Sequence, residues 1–172
     1  SVMFFCTSGS REKFSGCGPQ PTLLIQPLGR TSSSAALSAA ETPAALAEGC
    51  DIVITMLPNG QVVQQVALGE HGLQQGLKSG ALLLDTSSAE PWLTRQTATA
   101  LAARGVAMVD APVSGAKWGA QEANLVFMVG GDAADVQRVR PLLDRMGRAV
   151  FHVGTLGAGH AMKCINNLST AM

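Results

Sequence analysis

The chain has 172 residues, 47% of them hydrophobic and only 14% charged, and its formal net charge is zero. A chain of this length buries about 70% of its unfolded surface without staples, and the lack of any Lys/Arg cluster removes the electrostatic case for nucleic-acid binding. No apolar run approaches membrane-spanning length. Cys6, Cys17, Cys50 and Cys164 are scattered, with no C-x-x-C and no histidine at ligand spacing, which argues against a metal site and a disulfide framework and suits a reducing compartment.

Residues 1–20 show neither helical nor strand periodicity, and Val2 to Cys6 is too short for a signal segment. Gly16-Cys17-Gly18 is not a dinucleotide fingerprint, because the third glycine would fall at Pro21 and no strand leads into it. Leu23-Leu24-Ile25 reads as a short strand, followed by loop. From Ala35 the texture changes. An alanine-rich helix is expected over 35–47, with Thr42-Pro43 as an N-terminal pair. Buried strands are expected at 51–57 and 81–85, and further strands at 106–109, 124–129 and 149–153. Helices are expected at 61–68, from the Thr86–Pro91 region to Arg104, from the Asp132 cap to Met146, and from Gly157 onward, while Leu73 to Lys78 leads toward a strand. Strands alternating with helices of about 10 to 15 residues define βαβ units and a mainly parallel sheet.

In such sheets ligands sit beyond the carboxyl ends of the strands. Met56-Leu57-Pro58-Asn59, Asp85-Thr86-Ser87-Ser88 and Asp110 to Gly115 occupy three such ends. Each has a plain structural reading as well: Pro and Asn end strands, and Ser87 or Ser88 can cap the following helix. Taken together, they line one cleft. Ser114-Gly115, after the rigid Ala111-Pro112-Val113, offers a hydroxyl and unhindered backbone N–H groups to a carboxylate. In Gly157 to Asn167, Lys163 and Asn167 share a helical face at i, i+4 on an otherwise apolar helix, the arrangement of a positioned proton donor beside a hydrogen-bonding amide. His152 reads as a partly buried strand histidine and His160 as a residue nothing orients. Trp118 is a candidate pocket wall, Lys117 faces solvent, and Asp132 with Asp135 is a helix-terminal charge bias rather than a metal site.

D-A-P-V-S-G at Asp110 to Gly115, then Gly119-Ala120, Asn124-Leu125 and Met128 to Gly131, resembles the substrate-binding signature of the β-hydroxyacid dehydrogenases, the family of 3-hydroxyisobutyrate dehydrogenase and tartronate semialdehyde reductase. G-x-G-x-x-x-K-x-x-N-N at Gly157 to Asn167 resembles the catalytic segment of that family. The resemblance implies an α/β, Rossmann-like fold over 35–154, and the first helix of an all-α C-terminal domain over 155–172. It leaves 1–34 as a non-matching segment without a recognisable first βαβ unit. It implies NAD or NADP as cofactor and a small hydroxyacid as substrate, with a homo-oligomer in full-length members. The corresponding setting is cytoplasmic or inside an organelle, with no membrane or nucleic-acid partner. By the same correspondence Lys163 is the general acid/base and Asn167 orients substrate. Ser114, Gly115 and Ala116 hold its carboxylate, and Leu57, Pro58 and Ser88 lie along the dinucleotide.

Three departures qualify the match. There is no G-x-G-x-x-G, Ala116 stands where the family has a second glycine, and the chain stops at Met172. The sequence therefore supports an incomplete NAD(P)-dependent hydroxyacid dehydrogenase, binding NAD(P) weakly or not at all by itself. The alternative is a catalytically inactive Rossmann-like fragment serving interaction or dimerisation. An imine-reductase-like variant ranks third, because Lys163 keeps the dehydrogenase residue.

Overall fold

The computed structural model describes residues 3–8, 11–15 and 40–171, with side chains described within 40–170 apart from 116 and 117. Three strands, β3 (Ile52–Met56), β4 (Leu82–Asp85) and β5 (Ala107–Asp110), run parallel, with Ile54 opposite Leu84 and Leu84 opposite Val109. Their side chains alternate between two cores. Val53, Leu83 and Met108 join one cluster, and Ile54, Leu82, Leu84 and Val109 join the other. Burial on both faces is why these strands read as unbroken apolar runs. The first core is closed by α1 (Pro43–Ala47), α2 (Gly60–Leu68), the single turn α3 (Leu73–Gly76) and α4 (Pro91–Ala102), and the second by α6 (Ala133–Met146).

Beyond Asp110 the chain crosses Ala111-Pro112 into β6 (Val113–Ser114), passes through α5 (Ala116–Gln121), and returns as β7 (Leu125–Gly130). β7 is antiparallel to β5 and β6 in one continuous register, Asp110↔Gly130, Val113↔Phe127 and Ser114↔Val126. β8 (Gly147–Gly154) then runs parallel to β7, and α7 (Ala158–Ala171) follows. The sheet is thus mainly parallel but mixed. A return after only the short α5 allows an antiparallel neighbour, where a parallel one needs a full crossover.

Several expectations are corrected. Residues 3–8 and 11–15 form β1 and β2, antiparallel to each other, with β1 antiparallel to β3. The sequence signal was Gly9-Ser10, a pair typical of two-residue hairpins, between two runs too short for periodicity. Within the described residues the first helix begins only at Pro43, with Thr42 Oγ1 accepting from Ala45 N–H. Proline has no N–H to give and clashes with a preceding helical turn, so it starts the helix rather than continuing it. Leu73 to Gly76 is helical. Cys50 is disulfide-bonded, although the scattered cysteines argue against a disulfide framework, while Cys164 is free and exposed. The expected strand at 23–25 and the tested glycine pair at 16–18 lie outside the described residues. Among the described residues no helix is long and apolar enough to cross a membrane.

Candidate functional site

The site is organised by how α7 meets the sheet. The first N–H groups of any helix lack partners inside it. Here a carboxylate from another element supplies them: Asp110, ending β5, accepts from Gly157 N–H at 2.7 Å and from His160 N–H at 2.8 Å. Charge-assisted bonds at the positive end of a 14-residue helix are strong ones. The approach is close enough to demand glycine. A Cβ on Gly130, opposite Asp110 in the sheet, would lie 2.8 Å from Gly159 N and 2.8 Å from Thr155 O.

His160 completes the joint. Its Nε2 lies 3.0 Å from the Ser87 carbonyl and its Nδ1 2.8 Å from Thr94 Oγ1 on α4. Asp85 and Asp110 flank the ring, at 3.8 Å from Nε2 and 3.7 Å from Nδ1. Asp85 Oδ1 accepts from Thr55 Oγ1 and Ser87 N–H, and Ser87 Oγ accepts from Leu57 N–H. All these side chains are buried, Asp85, Asp110 and His160 completely. Asp85, Ser87 and Asp110 therefore face inward as a hydrogen-bonded cluster, whereas Pro58, Ser88 and Gly115 at the same strand ends are exposed. Ser87 ties β4 to β3 instead of capping α4, whose N-cap is Glu90. Sequence reasoning missed His160, Thr94 and the bonding of Asp85 and Asp110. The available signal was a charged residue closing each of two otherwise apolar strands, and a histidine in the first turn of a glycine-led helix.

Burial pushes the Asp110 carboxyl above its ordinary value, against the lowering effects of Gly157 N–H, the His160 charge and His160 N–H. A carboxyl raised in the folded state contributes stability that is fully present below the unfolded value and is lost as pH rises through the folded one. Relative to Asp110→Asn, the parent is therefore expected to gain stability as pH falls toward about 4. Urea midpoints of the two proteins, measured from about pH 7 downward, check the sign.

Of the residues singled out from sequence, Lys163 is half-buried on α7 and Asn167 is exposed. Ser114 is half-buried at the end of β6, and Gly115 is exposed with φ +127°. Ala116 opens α5. Leu57 is buried after β3, whereas Pro58 and Ser88 are exposed at the ends of β3 and β4. Two cavities meet at Ser114 and its cross-strand partner Val126. One, of about 280 Å³, is also lined by Gly115, Trp118, Asn124 and Arg148. The other, of about 560 Å³, runs under α7 past Met128, Phe151, Met162 and Asn166. The structure thus brings Asn166, rather than Asn167, to the wall beside Ser114. Trp118 is 74% exposed at the rim of the smaller cavity. His152 Nε2 is 3.0 Å from both Gly131 O and Gly154 O. Asp132 caps α6 through Ala134 N–H and Asp135 pairs with Arg138, as a helix-terminal charge bias requires. Among the described residues no group of three or more His, Cys, Asp or Glu side chains is placed to hold a metal.

A mainly parallel sheet covered by helices on both faces, with turns gathered at the carboxyl ends of its strands, defines a Rossmann-like α/β protein. The chain belongs to the family described as the NAD binding domain of 6-phosphogluconate dehydrogenase, which matches residues 27–154. It is similar to the 3-hydroxyisobutyrate dehydrogenase of Pseudomonas aeruginosa, at 46% identity over 121 residues, 70% of this chain and 41% of that protein. It is 43% identical over 134 residues to the NAD-dependent L-serine dehydrogenase of the same organism, 78% of this chain and 45% of that one. The solved structure of Mycobacterium tuberculosis 3-hydroxyisobutyrate dehydrogenase with L-serine superposes with a TM-score of 0.74 at 34% identity, covering 78% of this chain and 45% of that one. The resemblance drawn from the two motifs is therefore borne out. The chain spans less than half the length of these relatives.

Proposed function

We propose that the chain is the cofactor-domain portion of an NAD(P)-dependent oxidoreductase acting on a small β-hydroxyacid. The observation that carries this reading is the joint at Asp110. One carboxylate ends β5, whose continuation presents Ser114-Gly115, and also holds the first turn of α7, which bears Lys163. A carboxylate-receiving turn and a proton-transferring amine are thereby anchored to the same point. Exposed Pro58 and Ser88 follow the ends of adjacent parallel strands, where the nicotinamide and its ribose would lie in this reading. The sequence carries no glycine fingerprint for the diphosphate, so the fit covers that half of the cofactor.

In this reading Ser114, Gly115 and Ala116 hold the substrate carboxylate through the Ser114 hydroxyl and backbone N–H groups. When bound, nicotinamide exchanges hydride with the hydroxyl-bearing carbon. Lys163 would take the hydroxyl proton during oxidation and return it to the carbonyl oxygen during reduction. Asn167 would orient the same oxygen. Leu57, Pro58 and Ser88 would line the nicotinamide end of the dinucleotide. The substrates named for the relatives, 3-hydroxyisobutyrate and L-serine, are the first to assay. We assign residues 35–154 to the cofactor domain and 155–172 to the start of a helical domain, homo-oligomeric in the complete protein. The working compartment is the cytoplasm or an organelle interior. Two relatives, from mouse and Dictyostelium discoideum, carry mitochondrial names.

A non-catalytic interaction module is the second reading. It rests on the exposed apolar side chains of Met162, Ile165 and Leu168 on α7, which would serve as its contact face. Titrating the chain with NADH and NADPH, followed by amide NMR shifts, separates the two. Weak binding, with Kd above roughly 1 mM, is expected to move the Leu57 and Ser88 amides selectively. Shifts absent from both amides at about 10 mM cofactor would sink the cofactor-domain assignment and favour the interaction module.

A further inference from the structure

His160 is among the largest fully buried side chains of the chain, and the proposed chemistry gives it no part. An interior filler at this point would be apolar. Burying an imidazole is costly unless both nitrogens are bonded, and here both are. The Ser87 carbonyl can only accept, so the bonding network places a proton on Nε2. Nδ1 meets Thr94 Oγ1, which also lies 3.2 Å from Glu90 O. The ring therefore pins α7 to α4 and to the segment following β4. Its own backbone N–H is pinned to β5 through Asp110. An apolar replacement would strand the Ser87 carbonyl beside Asp85 Oδ2, which is already a buried oxygen without a hydrogen-bond partner, and would leave the Thr94 hydroxyl only its bond to Glu90 O.

Lys163 lies three residues further on, within about 60° of His160 around the helix. The tip of a lysine stands roughly 6 Å or more from the helix axis, so rotating α7 by about 20° carries that tip by about 2 Å. A misplacement of about 1 Å can cost about 10²-fold in rate. The geometry points to His160 as a positioning residue that fixes the rotation of α7 and hence the direction of Lys163, an inference resting on the assignment of proton transfer to that lysine. Asp110 alone cannot do this. It holds the axis at Gly157 and His160 N–H, both near the helix centre, whereas the imidazole grips from the helix surface.

The test uses the full chain with its lysines carrying ¹³C-methyl groups. Lys13, Lys78, Lys117 and Lys163 are the four reporters, and the signal missing from Lys163→Arg identifies the last. In His160→Leu the Lys163 signal is expected to shift and broaden, while Lys78 keeps its position. Amide-exchange protection over 160–163 is expected to fall by about tenfold or more, with the amides of β3, β4 and β5 unchanged. His160→Gln, which keeps an amide for Thr94 or Ser87, is expected to restore most of the Lys163 signal. An unmoved Lys163 signal in His160→Leu overturns the proposal, as does protection lost equally across β3, β4 and β5. If His160→Leu does not fold, Thr94→Val removes one partner at constant shape and is read by the same criteria. None of these measurements needs turnover. A kcat left unchanged by Lys163→Ala in a preparation that turns over would count against the role of Lys163 and leave the positioning result standing.

Discussion

Replacing Lys163 with alanine is expected to lower kcat by about 10²- to 10⁴-fold in any preparation that turns over a β-hydroxyacid, the range for removing a positioned general acid/base. The affinity for NAD(P)H should stay within about twofold, because the proposed contacts of Lys163 are to the reacting oxygen rather than to the dinucleotide. Lys163→Arg separates charge from proton transfer. Arginine keeps the cation near the substrate but does not deprotonate in proteins, so it should hold KM better than alanine does while leaving kcat almost as low. The helix tolerates all three residues, since each is a good helix former. The anchors of α7 at Asp110 and Thr94 do not involve the lysine. Steady-state kinetics with 3-hydroxyisobutyrate and L-serine, together with cofactor titration, supply the numbers. A kcat for Lys163→Ala within about threefold of the parent would remove the lysine from the mechanism.

The parallel strands were legible because burial on both faces writes them as unbroken Ile, Val and Leu runs. Expected and observed boundaries at β3, β4 and β5 differ by a single residue at most positions. The hairpin of β1 and β2 was not, since five or six residues are too few for periodicity to register. Nor was the direction of β7, which depends on the connection between strands and not on their composition. For the site, spacing placed Lys163 and Asn167 on one helical face. Spacing does not say where a face points, however, and packing turned the neighbouring row, Met162 and Asn166, toward Ser114. The partners of His160 were hidden for a related reason. They lie 73 and 66 residues away in sequence, at Ser87 and Thr94, and only the fold makes them neighbours.

Gly159→Ala is expected to destabilise the chain by about 3 kcal/mol, the upper range for forcing an extra carbon into a packed interior. The sequence shows Gly157 and Gly159 opening a helix, a pattern easily taken for a phosphate loop, but the contacts assign Gly159 a different task. A Cβ there would collide with the Met128 carbonyl and lie 2.8 Å from Asp110 Oδ2 and 3.0 Å from Asp110 O. Nothing in that set is the free end of a flexible side chain. Met128 O belongs to β7, and Asp110 is engaged with Gly157 and His160 N–H. Relief must come from moving α7 off the sheet, which breaks the cap and tilts Lys163. Gly80→Ala is the control for conformational cost alone. Its φ is +85° and nothing lies within 4 Å of where a Cβ would stand, so only left-handed strain of about 1 kcal/mol applies. The two variants thus separate close approach from backbone strain. Urea denaturation should rank Gly159→Ala well below Gly80→Ala. Amide exchange should show the loss at 158–163 in the former and confined to the turn before β4 in the latter. Equal costs for the two would mean that α7 does not approach β7 as closely as the Asp110 joint requires.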